Sequence, residues 1–255
     1  MPALARAELE SLLRARRLDR TLTSALPDCP SRDALVVAAT DVASLDALLL
    51  GGLPRGQLSD VVGGRSSGRT SVALQMLAAA TARGEYVALI DALDMLDVVS
   101  AAEAGVDFDR LLWIRGHVVI NPGLCRDMNQ RAVVQAIKAL TLVLQAGNFG
   151  LVVLDLADAP GNALRRLPFT TWLRLQRILE GSQTACVLVG SEPVARSSAG
   201  LTLRLGRKAQ GSEGFAHNLK AHGTSLEITA SVIRARTHAH QETVVALATA
   251  ASPYV

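Results

Sequence analysis

Aromatic side chains are scarce in this chain. They supply 3% of its 255 residues, which leaves few of the stacking platforms on which single-stranded nucleic acid is commonly held. Cysteine is scarce too. Cys29, Cys125 and Cys186 lie far apart with no C-x-x-C spacing, and such a scattered, odd-numbered set reads as reduced, mostly buried thiols. No hydrophobic run is long enough to cross a membrane. The longest uncharged stretch, Ala139 to Leu154, is broken by Gln145–Asn148 and falls short of the roughly 18–20 apolar residues of a spanning helix. The first residues, MPALARAELE, place acids where a secretory signal needs an apolar core. A cytoplasmic protein is therefore expected.

Hydrophobic residues make up 49% of the chain and charged residues 19%, a balance that excludes general disorder. The length suffices for one α/β domain with a sizeable core. The net charge of +3 is mild, but the basic residues are clustered. Residues 161–180 hold Arg165, Arg166, Arg174 and Arg177 against Glu180. Residues 201–240 hold Arg204, Arg207, Lys208, Lys220, Arg234 and Arg236 against Glu213 and Glu227. Either a solvated arginine-rich face or a nucleic-acid footprint fits this distribution.

Residues 4–17 bring Leu4, Leu9, Leu12 and Leu13 near one face of an N-terminal helix. The two prolines of SALPDCPSRD (24–33) mark a linker, so this helix is expected to bury its leucines on a neighbour or another chain. The segment 1–33 thus stands apart from a core domain over 34–245, with a tail over 246–255. Within the core, strands alternate with helices. Strands are expected over 58–63, 86–91, 111–116, 150–156 and 184–190. Helices are expected over 70–84, from Met95 to Gly105, over 127–147 and over 169–181, the third with Val133, Ile137, Leu140 and Leu144 on one stripe. The pattern then changes to antiparallel strands over 201–206 and 226–236, joined by a polar segment over 207–224. His217, His222, His238 and His240 lie in or beyond that segment without metal-ligand spacing.

One stretch carries chemistry. GGRSSGRT, Gly63 to Thr70, has the G-x-x-x-x-G-[K]-[ST] spacing of a phosphate-binding loop, directly after a strand and before a helix. Its glycines let backbone N–H groups turn inward, and with the helix N-terminus they make an anion cradle. Gly63, Gly64, Ser66, Ser67, Gly68, Arg69, Thr70 and Ser71 are the candidate nucleotide-binding residues. Thr70 is placed to reach a magnesium ion. LVVLD (151–155) ends a buried strand in Asp155, the second candidate magnesium ligand.

Residues 40–240 resemble the RecA core. The likeness is carried by SLDALLLGGLPRG (44–56), the loop, IDALDMLD after the next strand, and GVDFDRLLW. It implies an α/β fold of the RecA-like P-loop NTPase kind, a mostly parallel sheet flanked by helices with antiparallel strands at the C-terminal end. It implies ATP and magnesium as ligands. The SSGRTS form of the loop looks most like the ImuA-type members, accessory factors of SOS-induced translesion synthesis. As implied partners, that likeness brings an inactive Y-family-like polymerase subunit, an error-prone polymerase, RecA itself and single-stranded DNA.

Departures from the RecA pattern limit what the site is expected to do. Arg69 stands where lysine fits between the phosphates, and a planar forked guanidinium is no conservative replacement for an ammonium. Leu93 in IDAL stands where RecA has its catalytic glutamate. Ser191 in LVGSEP stands where RecA has a glutamine. The segments matching the DNA-binding loops, 157–168 and 192–200, are short and lack aromatics, leaving Arg165, Arg166 and Arg196 as candidate phosphate contacts. No counterpart of RecA's C-terminal domain is expected. No residue is assigned a catalytic role, and ATPase activity is expected to be weak or missing. The reading is a scaffold acting through partners, with Leu4, Leu9, Leu12 and Leu13 as partner-binding candidates. The alternatives are a DNA-stimulated ATPase and a nucleotide switch that mediates recombination.

Overall fold

Strands whose residues are buried on both faces organise this molecule. The computed structural model describes residues 36–116, 126–207, 225–235 and 241–248. The N-terminal helix with its four leucines, the linker, Cys29, Cys125, the segment 208–224, the four named histidines and residues 249–255 lie outside the described residues.

The main sheet has eight strands in the order β10-β9-β8-β3-β7-β6-β4-β5. These are β3 (Leu58–Val62), β4 (Val87–Asp91), β5 (Leu111–Arg115), β6 (Leu151–Asp155), β7 (Ala185–Gly190), β8 (Leu201–Arg207), β9 (Ser225–Ala235) and β10 (Gln241–Ala248). From β8 through β5 all neighbours are parallel. β9 and β10 add antiparallel at the other edge. A two-stranded ribbon of β1 (Val37–Ala38) and β2 (Leu53–Pro54) precedes the sheet, with helix α1 (Ala43–Leu48) between its strands. The remaining helices are α2 (Arg69–Ala82), α3 (Val98–Glu103), α4 (Arg126–Ala146), α5 (Gly161–Arg165) and α6 (Phe169–Leu179).

Alternation along the strands sends side chains to two cores. Val61, Leu89, Val153 and Val187 join α1 and α2 on one face. Ala88, Ile90, Val152, Leu154 and Leu188 join α4 and α6 on the other. α2 is buried over most of its surface, which explains its alanine-rich sequence. α4 buries the predicted stripe of Val133, Ile137, Leu140 and Leu144. α6 buries Trp172, Leu175, Gln176 and Leu179 at helical spacing. Gln176 is polar, and both ends of its amide are paired. Its Oε1 accepts from the Leu58 N–H at 3.0 Å and its Nε2 donates to the Gly56 carbonyl at 3.3 Å, fixing α6 to the start of β3. The foot of the sheet is tied by Arg55, which donates to the Gln183 and Gly150 carbonyls and pairs with Glu85 at 2.6 Å.

The short elements β1, β2, α1 and α5 have no counterpart in the sequence reading, and two further elements differ from it. The helix expected from Met95 begins at Val98, because the Asp91 carboxylate takes the Met95 and Leu96 N–H groups at 2.9 and 2.8 Å and holds those residues out of the helix. Asp97 then caps α3 by accepting from Val99 and Ser100. A tenth strand, β10 (Gln241–Ala248), stands where the sequence reading assigns none.

Candidate nucleotide site

The C-terminal ends of β3, β4, β6 and β7 converge where open parallel sheets bind ligands. From the end of β3 the chain runs through Gly63 to Gly68 into α2, the strand-loop-helix arrangement the motif requires. The two framing glycines are obligatory for different reasons. A Cβ on Gly63 would approach the Leu205 carbonyl oxygen to 2.6 Å and run into Ser67 Oγ. Gly68 caps α2 at φ +84°, in the left-handed region that glycine occupies without penalty. Ser66 also lies at φ +58°, as a loop that turns successive N–H groups inward demands. The Gly63 N–H donates to the Gly190 carbonyl at 3.1 Å, tying the loop to the end of β7.

Arg69 is the feature that sequence could not place. Its side chain is 7% exposed. One Nη donates to the Gly63 carbonyl, and Nη2 donates to the Ala157 carbonyl at 2.9 Å. Asp158 Oδ1 lies 3.9 Å away. The guanidinium therefore bridges the loop to the segment after β6. Arg65 pairs with the same Asp158 oxygen at 3.3 Å but is exposed. Asp158 had a legible signal, an acid just past Asp155 facing a loop with two arginines.

Asp155 ends β6 beside the loop. Its Oδ1 accepts from the Ala157 N–H at 2.8 Å. Burial lifts its carboxyl to about 6, with the nearby charges of Asp91 and Asp158 pushing the same way and Arg69 opposing. A half-buried acid whose charge is poorly solvated suits a cation ligand. Thr70 is exposed at the first turn of α2, and Ser71 is half-buried. The loop backbone, Thr70 and Asp155 thus fit phosphate and magnesium.

The groups expected for turnover are arranged differently. Leu93 is 4% exposed and packs in the core formed by α4 and α6. Asp94 beside it turns away at φ +58° and grips Arg115 with both oxygens, at 2.7 and 2.8 Å. That ion pair holds its carboxyl below the usual carboxylate range. Arg115 in turn stacks over Trp113, 4.6 Å from the ring centre. Ser191 is exposed just after β7. Among the described residues no group of three or more His, Cys, Asp or Glu could hold a metal ion.

Arg165, Arg166 and Arg196 are all exposed. Arg196 sits at φ +50° and its carbonyl accepts from Arg234 at 2.9 Å. The same loop is held from below by Asp60, a buried acid in the middle of β3. Its Oδ1 accepts, at long range, from the Val194 and Ala195 N–H groups, at 3.4 and 3.5 Å. Burial pushes its carboxyl up to about 7 despite those bonds and the Arg234 charge. Cys186, buried on β7, has its thiol pushed up by the same burial.

Comparison with known proteins agrees with this geometry. The model of the RecA N-terminal domain matches residues 25–157, more than half of the chain. The chain belongs to the RecA family. It is 35% identical over 124 residues to Protein RecA of Desulfotalea psychrophila, covering 48% of this chain and 31% of that one. It is 32% identical over 168 residues to Protein RecA of Heliobacterium modesticaldum, covering 60% and 44%. It is 38% identical over 122 residues to Protein RecA of Sulfurovum sp., covering 47% and 31%. The chain spans less than half the length of these RecA relatives. Among the described residues no helix is long and apolar enough to cross a membrane.

Proposed function

We propose that this RecA-family chain is an accessory protein of DNA repair, acting in an SOS-type damage response and translesion synthesis through protein partners. It keeps a nucleotide site that binds but does not efficiently hydrolyse. One observation carries the reading. The loop cation is spent on two backbone carbonyls, Gly63 and Ala157, while the position expected to supply a catalytic acid is a leucine buried in the core. Efficient hydrolysis needs a side chain that positions the attacking water and a loop cation on the developing phosphate charge; here the first position is Leu93, and Arg69 is engaged elsewhere. ATP would sit with its phosphates on the N–H groups of Gly64 to Ser71. Magnesium, held by Thr70 and Asp155, would neutralise part of the phosphate charge. The ImuA-like loop supports as partners the inactive Y-family-like polymerase subunit, the error-prone polymerase and RecA. Arg165, Arg166 and Arg196 remain the candidate contacts to single-stranded DNA.

The test is ATP turnover by the purified protein, with and without single-stranded DNA, beside Asp155→Asn. Turnover no higher than in the substituted protein is expected. DNA-stimulated turnover that disappears in Asp155→Asn would make the chain an ATPase and sink the scaffold reading. A second reading, a switch read out by nucleotide occupancy, is favoured by Asp155, whose half-buried charge would be relieved by a bound cation. It predicts magnesium-dependent binding of a fluorescent ATP analogue and a change in partner affinity when that analogue is bound.

A further inference from the structure

On the face of the sheet away from α2, helices α4 and α6 leave a cleft of about 460 Å³ between them. Its floor is aliphatic, made by Ile137 and Leu175, both buried. One wall is apolar and open to solvent, because Leu142 on α4 is 68% exposed, the most exposed of the large hydrophobic side chains described. Lys138 on α4 and Arg174 on α6 are both exposed at the rim. Arg131 lies two turns before Lys138 on α4, and Arg177 one turn after Arg174 on α6, both also exposed.

None of these four cations is in an ion pair or a side-chain hydrogen bond among the described residues, whereas Arg55, Arg65, Arg69, Arg83, Arg110 and Arg115 each face a carboxylate. The only acids on the two helices or their caps are Asp127, in the first turn of α4, and Glu180, the C-cap of α6. Asp127 is about 16 Å along the helix axis from Lys138 at the usual rise per residue. Asp127 is one turn from Arg131 and Glu180 one turn from Arg177, so the uncompensated charge at the rim is that of Lys138 and Arg174, on either side of a slot lined by Ile137, Leu142 and Leu175 with Thr141 and Thr171.

We propose that this cleft docks an acidic segment of a partner protein, seating an aliphatic side chain between Ile137, Leu142 and Leu175 while flanking carboxylates meet Lys138 and Arg174. Charge complementarity selects an acidic occupant, and the slot selects an apolar anchor, the usual centre of a protein interface. A single nucleic-acid strand fits less well. It gains from stacking surfaces, and the aromatic ring of this helix pair nearest the slot in sequence, Trp172, is 3% exposed and turned into the core. Phosphates would gain nothing from Leu142. The site is independent of the nucleotide loop, so it stands or falls apart from the reading of that loop.

The experiment is fluorescence anisotropy on the full chain with a labelled synthetic peptide, leucines set in a Glu/Asp background. A leucine-free peptide of equal charge and an oligothymidylate are the comparisons. Saturable binding is expected, weakened roughly tenfold or more by the double reversal Lys138→Glu with Arg174→Glu. Leu142→Ser, which leaves the charge alone, should weaken the leucine peptide and not the leucine-free one. All three positions are exposed, and an unchanged thermal unfolding curve would confirm that the variants fold. No saturable binding of the leucine peptide, or binding indifferent to the double reversal, would overturn the proposal. So would equal binding of the two peptides, or an oligothymidylate that binds more tightly and is lost on the same reversal, which would make the face a nucleic-acid surface.

Discussion

The ends of β4 and β6 lie side by side, with Asp91 and Asp155 as register partners, yet the two carboxylates have opposite employment. Asp91 is 2% exposed and spends both oxygens on the N–H groups that follow it. It is a structural brace for the turn into α3. Asp155 accepts one N–H through one oxygen and is otherwise surrounded by like charge, burial and Arg69. The lesson is that an acid at the end of a parallel strand signals a site only when its lone pairs are left over. Beside Asp91, Leu93 is buried and Asp94 is claimed by Arg115, so both carboxylates at the β4 end are engaged within the fold. The β6 end and the loop opposite it retain a ligand's worth of unused polarity.

The sharpest way to break this contrast is to remove each acid in turn. Asp91→Ala deletes two hydrogen bonds to a charged acceptor, each contributing about 1.5–3 kcal/mol. A loss of about 3–5 kcal/mol in urea unfolding is expected, and a neutral result would mean the turn holds without its brace. Asp155→Asn should move the other way. Its carboxyl rises from 3.8 to about 6 on folding, so between those values the folded chain holds a proton that the unfolded chain has released. Stability is then full below about pH 4 and falls as pH rises toward 6. Neutralising the group should stabilise the nucleotide-free protein by about 1–3 kcal/mol at pH 8, and by progressively less toward pH 4. Asp60→Asn should behave alike, with its window reaching up to about 7. Melting curves across pH check both, and a gain independent of pH would refute the electrostatic account.

Arg69→Lys comes next in size. A lysine has one nitrogen where the guanidinium serves two carbonyls, so the bridge from Gly63 to Ala157 is broken or halved. About tenfold tighter magnesium-dependent binding of a fluorescent ATP analogue is expected, equivalent to about one charged hydrogen bond at the lower end of its range. Unchanged or weaker binding would show that the bridge does not compete with nucleotide. The smallest effect is reserved for Arg115→Ala. Its partner Asp94 is at the far side of the β4 end, so nucleotide binding should be unaltered and the melting temperature should shift little, as for other exposed ion pairs.

The central strands were legible because parallel strands covered on both sides must be nearly continuous in apolar residues; Leu151 to Leu154 and Ala185 to Val189 read directly. β10 was not, since Val244 and Val245 are adjacent rather than alternating, one 43% exposed and the other buried, so no period of two stands out. The start of α3 was misread because its boundary is set by Asp91, an acid of the preceding strand. The loop itself was plain from spacing and context. The destination of Arg69 was not, because its acceptor, the Ala157 carbonyl, is 88 positions away in sequence. Asp60 was hidden by the apolar residues around it, although an acid inside such a strand is itself an anomaly, since a buried carboxylate needs partners.

Were a ligand to compete for the Arg69 guanidinium, the bridge would also set a population. A ligand that needs the guanidinium free binds only the fraction of molecules in which it is free, and its apparent affinity is scaled down by that fraction. Two bonds from a charged donor are enough to hold the free form to about one molecule in a hundred, about 2.7 kcal/mol. Nucleotide occupancy would then report as much on the segment following Asp155, which owns the second carbonyl, as on the concentration of nucleotide. Anything that displaces Ala157 by an ångström would act as a gain control on the loop, without touching a phosphate.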